Sequence, residues 1–172
     1  MSVDEEDEEE DLSPETSHPT AALLLSDAFF WDCTDEVSPF GNDTGADTLS
    51  FFRQWRKEYP IENSLVFLDS LLSDWEVVND NWDVTESGLL QEILNLDLAL
   101  NYDNLLIRDD IIIALAFGEI LLDGTCSDTV KDRALLALQR QALPLIISFR
   151  GWDNPEEWLS RLERMQQVLR SV

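Results

Sequence analysis

Apolar residues recur every three or four positions along most of the chain after residue 43, which is the spacing of one helix face. This pattern predicts about six helices with short connections between them. Their expected ranges are 43–59, 63–75, 89–100, 109–122, 128–142 and 154 to the C-terminus. Alternating apolar and polar positions, typical of strands, are rare. The pattern therefore favours a mainly α fold, with a single compact helical domain over residues 23–172.

Several helix ends have recognisable signals. Asp43 or Thr44 is suited to cap the first helix, and Pro60 stops it. The last helix has the clearest start, with a capping Asn154, a proline at the first helical position and Glu157 three residues after the cap. The range 109–122 is apolar nearly all round, which predicts a central helix.

The N-terminal region has a different character. Residues 4–11 are eight consecutive carboxylates, and such a run repels itself and has nothing apolar to bury. We therefore expect residues 1–22 to be a disordered acidic tail. Residues 29–34 predict a short extended segment that places aromatic side chains on the core, followed by a cluster of turn residues at 38–43.

Composition narrows the possible functions. The 36 acidic and 11 basic residues give a formal net charge of −25, which argues against a nucleic-acid partner because such affinity comes from Lys and Arg neutralising phosphates. No apolar run approaches the length of a membrane helix, so no membrane partner is predicted. The acidic N-terminal residues do not resemble a signal peptide, and two isolated cysteines are typical of a reducing compartment. The expected location is the cytoplasm.

The chain offers little for catalysis. His18 is the sole histidine, and Cys33 and Cys126 lie beside carboxylates, which raise a thiol's pKa and weaken it as a nucleophile. No phosphate-cradling glycine motif is present, and no cofactor is predicted. Asp43 and Asp47 are four residues apart and could together hold a hard cation. A carboxylate metal-dependent hydrolase therefore stays open as an alternative, although a non-enzyme is favoured.

The loop between the second and third predicted helices is a candidate binding surface for a partner. It contains Asp80, Trp82, Asp83 and Glu86, with no basic residue from position 74 to 86. Tryptophan is enriched at interface anchors, and surrounding carboxylates steer a cationic partner. An exposed Trp82 would suit a basic protein surface. The alternative is that Trp82 covers the core.

Residues 29–60 carry a resemblance to a known family. The segment Phe30-Trp31-Asp32-Cys33-Thr34-Asp35-Glu36-Val37-Ser38-Pro39-Phe40-Gly41-Asn42-Asp43, continuing to Trp55-Arg56-Lys57, resembles the opening of the bacterial YfeS-like proteins. These are largely uncharacterised and are described alongside the WGR and molybdate-regulator group, although this chain has no Trp-Gly-Arg sequence. Phe40, Asn42, Asp43 and Asp47 also resemble a motif of small acidic bacterial domains, some of which are immunity proteins. We interpret these four residues as a structural motif.

The leading functional hypothesis is a non-enzymatic bacterial interaction protein, of the immunity or antitoxin type, that covers a basic protein partner. Its basis is the charge, the scarcity of catalytic residues and the resemblance. The alternatives are an acidic housekeeping or regulatory protein and, less favoured, the metal-dependent hydrolase. The oligomeric state is not predicted.

Overall fold

The computed structural model describes residues 11–172, and this part of the chain is mainly helical. It contains eight α-helices and two short 3₁₀ turns, and no strand is found among the described residues. The helices are α1 (Pro19–Leu24), α2 (Asp43–Glu58), α3 (Ser64–Asp74), α4 (Ser87–Leu100), α5 (Asn104–Asp123), α6 (Asp128–Gln141), α7 (Pro144–Arg150) and α8 (Pro155–Ser171). The predicted mainly α class is confirmed, with two more helices than expected.

Helix α5 is the centre of the fold. Its residues from Ile111 to Leu121 are all buried, as expected for a helix that is apolar on every side. Helices α2 and α6 pack along it, α1, α3 and α4 make smaller contacts with it, and α8 packs on α6. The helix begins at Asn104 rather than at the predicted Asp109. It ends at Asp123, and the next residue, Gly124, has φ +73° and so adopts the left-handed conformation that favours glycine.

The buried apolar residues form two clusters. The larger one joins α1, α2, α3, α5, α6 and α8. The smaller one contains Leu90 and Leu94 of α4, Leu105 and Leu106 at the start of α5, and Ile146 of α7. The second cluster therefore attaches α4 and α7 to the end of the central helix where α5 begins.

Helix α7 is one of the two helices that were not predicted. Pro144 comes three residues after Gln141, the last residue of α6. It also occupies the first position of α7, where a proline costs no hydrogen bond. Helices this short are not stable alone, and α7 is held by the packing of Ile146 in the smaller cluster.

The N-terminal segment differs from expectation where it is described. The acidic tail was predicted over residues 1–22, and residues 1–10 lie outside the described part of the chain. Residues 14–16 form a 3₁₀ turn, and the His18 backbone N–H donates to the Leu121 carbonyl at 2.9 Å. Ala21 of α1 is buried against the core. Ordered structure in the described residues therefore begins before residue 23.

The predicted extended segment at 29–34 is wrong, because residues Ala28–Trp31 form a 3₁₀ turn. Its amides are satisfied locally, by bonds from Phe30 N–H to the Asp27 carbonyl and from Asp32 N–H to the Phe29 carbonyl. The aromatic side chains still reach the core, since Phe30 is buried and its ring lies 5.6 Å from that of Phe117.

None of the helices in residues 11–172 combines the length and the apolar character that crossing a bilayer requires.

Candidate partner-binding surfaces

The loop between α3 and α4, residues 75–86, contains the four residues predicted to bind a partner. Asp80, Asp83 and Glu86 are exposed, and Trp82 is 8% exposed. The three carboxylates therefore lie at the surface as predicted. The tryptophan does not, so the expectation of an exposed aromatic anchor at Trp82 is wrong.

Two arginines from distant helices account for the burial of Trp82. The guanidinium of Arg108 lies 4.7 Å from the centre of the indole ring, and that of Arg133 lies 4.6 Å from it. Both are within the range of a cation–π contact. The indole Nε1 donates to Asn79 Oδ1 at 2.9 Å. The ring is thereby used as internal packing and is unavailable as an interface anchor.

A buried ion network holds the backbone of the same loop. Arg140 donates through Nη1 to the carbonyls of Trp82, at 2.6 Å, and Val84, at 3.1 Å. Arg108 donates to the carbonyl of Asp80. Burial lowers the pKa of Arg108, and the neighbouring Asp109 opposes that shift. The loop therefore rests on two buried guanidinium groups, while the side chains of Asp80, Asp83 and Glu86 are exposed.

Asp109 is the carboxylate that neutralises these arginines, and none of its side chain is exposed. Its Oδ2 accepts from Arg140 Nε at 3.1 Å and from Gln141 Nε2 at 2.9 Å, and its Oδ1 accepts from Arg140 Nη2 at 2.8 Å. Arg108 Nη2 lies 3.5 Å from Oδ1. A bidentate arginine–carboxylate pair is among the strongest side-chain interactions, so this centre is structural.

Glu86 has a structural role at the start of α4. Its carboxylate accepts from the backbone N–H groups of Gly88, at 2.8 Å, and Leu89, at 2.9 Å. These bonds lower the pKa of Glu86, with the bond from Leu89 as the first cause. The side chain is thus the N-cap of α4, and Asp80 and Asp83 are left as the exposed predicted carboxylates without a capping role.

The motif formed by Phe40, Asn42, Asp43 and Asp47 lies at the start of α2. Phe40 is buried in the larger cluster. The cap of α2 is Asn42, whose Oδ1 accepts from Gly45 N–H at 2.7 Å, so the expectation that Asp43 or Thr44 caps it is wrong. Asn42 does so because it has the extended backbone of a cap residue, whereas Asp43 is already helical. Asp43 and Asp47 are exposed on the first turns.

The remaining candidates for chemistry are separated from one another. Within residues 11–172, no three His, Cys, Asp or Glu side chains are grouped to hold a metal ion. Cys33 is exposed, and Cys126 is buried, which together with Glu119 raises the pKa of its thiol. His18 is the N-cap of α1, with Nδ1 accepting from Thr20 N–H at 3.1 Å.

A groove between α2 and α3 is an aromatic surface that was not predicted from the sequence. We call it the aromatic groove; its volume is about 290 Å³. Its lining residues are Phe51, Gln54, Trp55, Glu58, Phe67, Ser70, Leu71, Asp74 and Trp75. The sequence does contain a signal, since Phe51 and Trp55 are spaced four residues apart and so share one face of α2.

Ring contacts define the floor and the open end of the aromatic groove. The rings of Trp55 and Phe67 lie 5.6 Å apart across the two helices, and Phe67 is buried. At the open end, Phe51 meets Trp75 edge to face at 6.1 Å, and Phe51 is 47% exposed. Glu58 and Asp74 are exposed and supply the carboxylates at the rim.

The basic side chains of the chain are largely occupied by its own acids. At least seven of the eleven Lys and Arg residues have a carboxylate within 4 Å. They are Arg56, Arg108, Lys131, Arg140, Arg150, Arg161 and Arg164, and Arg133 stacks on Trp82 instead. Most of the positive charges are therefore paired within the molecule, and carboxylates exceed cations over the chain as a whole.

Comparison with known proteins gives one informative similarity. The chain is 30% identical over 138 residues to the uncharacterized protein YfeS of Escherichia coli strain K12. The match covers 80% of this chain, so the resemblance to YfeS-like proteins predicted from residues 29–60 is confirmed and extends well beyond that segment. The chain spans 55% of YfeS, about half of that protein. No protein-family model and no solved structure matches the chain.

Proposed function

We propose that this chain is a non-enzymatic interaction protein of the bacterial cytoplasm, of the immunity or antitoxin type, that covers a basic protein partner. The observation that carries the proposal is the distribution of charge. A net charge of −25 is combined with internal pairing of most of the cations, so the carboxylates exceed the cations at the surface.

The effect of such a surface on binding is physical. A strongly negative field raises the association rate with a cationic partner and disfavours acidic ones, most strongly at low salt. At physiological ionic strength the field of an exposed charge extends over about 8 Å. Binding to a basic partner should therefore depend on several neighbouring carboxylates rather than on one pair.

The loop 75–86 is the part of this surface that we assign to steering. Its backbone is held by Arg108 and Arg140, so the exposed Asp80 and Asp83 are presented at fixed positions. A fixed loop loses little conformational entropy on binding, which favours affinity.

Affinity capture with a salt titration tests the proposal. The full chain is immobilised, host lysate is passed over it, and the captured protein is purified and its association rate measured at low and high salt. We expect a basic partner whose association slows with salt, and slows further with the pair Asp80→Asn and Asp83→Asn. The matched control is Glu156→Gln with Glu163→Gln, which removes the same charge from α8.

A neutral or acidic partner whose binding is independent of salt would refute the proposal. If the association rate of a basic partner falls equally with both pairs of substitutions, the steering role of the loop is refuted. In that second case the excess charge of the whole molecule, rather than this loop, would attract the partner.

A further inference from the structure

The aromatic groove leaves part of its aromatic surface exposed to solvent. Phe51, which lines the groove, is 47% exposed. Tyr59 follows the last residue of α2 and lies outside the groove lining; it is 45% exposed, and its ring is 5.5 Å from that of Trp55. Trp75, at the end of α3, contacts Phe51 from the other side. Aromatic residues placed together at a surface are typical of interaction sites, because each supplies a large contact area with few rotatable bonds.

The carboxylates at the rim of the groove favour a positively charged partner segment. Glu58 and Asp74 line its edges, and Asp47 is one turn before Phe51 on the same side of α2. A second copy of this chain would bring like charges together, which is unfavourable for two molecules that each carry −25. A partner segment with lysine or arginine beside its apolar residues matches both the floor and the rim.

The dimensions of the groove indicate the form of that segment. From Phe51 to Glu58 the α2 side is eight residues long, and the seven steps between them span about 10 Å of helix. That length accommodates two turns of a helix laid between α2 and α3, with one or two apolar side chains in the groove. Binding of an amphipathic helix in a groove between helices is a known mode of recognition.

We propose that the aromatic groove binds the apolar face of a basic amphipathic helix of a protein partner. This inference rests on the proposed function, since it identifies where the basic partner makes its apolar contact. The acidic loop 75–86 begins at Trp75, at the end of the groove, so the steering surface and the contact surface are continuous along the chain.

The test uses the full chain and a defined probe. The probe is a tryptophan-free amphipathic helical peptide of leucine and lysine, compared with a scrambled peptide of the same composition. Nitrogen–proton NMR spectra report the indole signals of Trp55 and Trp75, assigned with Trp→Phe variants, and a titration gives the dissociation constants. We expect the amphipathic peptide to shift both indole signals and to bind about tenfold or more tightly than the scrambled one.

Two pairs of variants localise the binding. Phe51→Ser should weaken the amphipathic peptide at least about tenfold. Leu96→Ser, which removes a 64% exposed leucine from α4, should leave it unchanged. Asp74→Asn should weaken binding at low salt more than Glu92→Gln, an equal charge change on α4. Phe51 and Leu96 are exposed enough for both serine variants to fold, and circular dichroism checks this.

Four results would overturn the inference. Equal binding of the two peptides, or equal weakening by Phe51→Ser and Leu96→Ser, would show general attraction to an acidic surface, and the proposed function would survive. Absence of indole shifts with either peptide would exclude the groove as the contact. Self-association in sedimentation experiments that Phe51→Ser abolishes would show that a second copy covers the groove.

Discussion

The buried pair of Asp109 and Arg140 should be the most sensitive point of the fold. The substitution Asp109→Asn keeps the shape of the side chain and removes its charge. It leaves Arg140 and Arg108, which are 0% and 2% exposed, without their carboxylate. The new amide can also point its N–H₂ group at guanidinium donors, which is repulsive.

The magnitude follows from breaking one side of a buried ion pair. Removing one partner costs about 3–5 kcal/mol, because an uncompensated charge stays in the interior. Folded domains have about 5–15 kcal/mol of stability in total, so the variant should retain only part of it. For a domain of this size, that loss corresponds to a fall in melting temperature of about 6–20 °C.

Urea unfolding followed by tryptophan fluorescence and circular dichroism measures the free energy of unfolding. The control is Asp83→Asn, an identical change at an exposed position, which should stay within about 0.5 kcal/mol of the parent. Amide hydrogen exchange provides a second measurement, because Arg140 holds the carbonyls of Trp82 and Val84. In Asp109→Asn the loop 75–86 should exchange faster. A loss below about 1 kcal/mol would refute the argument that this pair anchors the fold.

Three further predictions concern the turn before α2, a pair of glycines and one carboxyl. In urea unfolding, Asn42→Ala should cost about 0.5–2 kcal/mol and Asp43→Ala clearly less, since Asn42 is the cap; the opposite order would contradict this assignment. Gly41→Ala should lower the melting temperature more than Gly151→Ala. A Cβ at Gly41 would lie 1.7 Å from the Asp35 carbonyl oxygen, whereas a Cβ at Gly151 (φ +70°) would meet no atom within 4 Å. Equal melting temperatures of the two variants would contradict this. Burial raises the pKa of Asp110 from 3.8 to about 6, so the folded state binds the proton of this carboxyl more tightly than the unfolded state does. The contribution of Asp110 to the free energy of unfolding therefore falls as pH rises from about 4 to 6. Asp110→Asn should remove that fall, and denaturant midpoints measured across this range would show it.

The longer helices could be predicted because their signals are local. Helices α2, α3, α6 and α8 combine an apolar stripe with a cap or a proline near their ends, and their observed bounds are within one or two residues of the expected ones. At α8 the predicted capping residue is confirmed, since Asn154 Oδ1 accepts from Glu157 N–H. The residues of these helices carry the information for their own boundaries.

The short elements could not be predicted in the same way. Helices α1 and α7 have six and seven residues, which is too short for periodicity to be detected or for a helix to be stable alone. They are stabilised by tertiary contacts, such as the hydrogen bond from the His18 N–H to the Leu121 carbonyl. The turn at Ala28–Trp31 is similar, because aromatic residues favour strands by propensity but no neighbouring strand is available in the described fold.

The exposure of the residues in the loop 75–86 was predicted only in part, for the same reason. Sequence position identified the carboxylates of the loop 75–86, since charged residues in a turn-rich segment are usually exposed. The burial of Trp82 depends on Arg108 and Arg133, which are on α5 and α6 and have no sequence relation to the loop. Likewise, the exposure of Phe51 and its ring contact with Trp75 depend on how α2 and α3 pack, which apolar spacing within α2 does not reveal.

The ion pairs also explain why the acidic surface and the stability of this protein can be varied separately. The carboxylates that stabilise the interior, above all Asp109, are buried and bonded to arginines, whereas Asp80 and Asp83 are exposed and hold no helix end. Neutralising the exposed pair changes the field around the molecule by two charges and removes none of the hydrogen bonds of Asp109, although Asp80 also interacts electrostatically with Arg108. If partner binding is governed by that field, association rates will fall in such variants while unfolding free energies change far less than in Asp109→Asn. A variant that lost stability and association together would instead place Asp80 or Asp83 within the structural network.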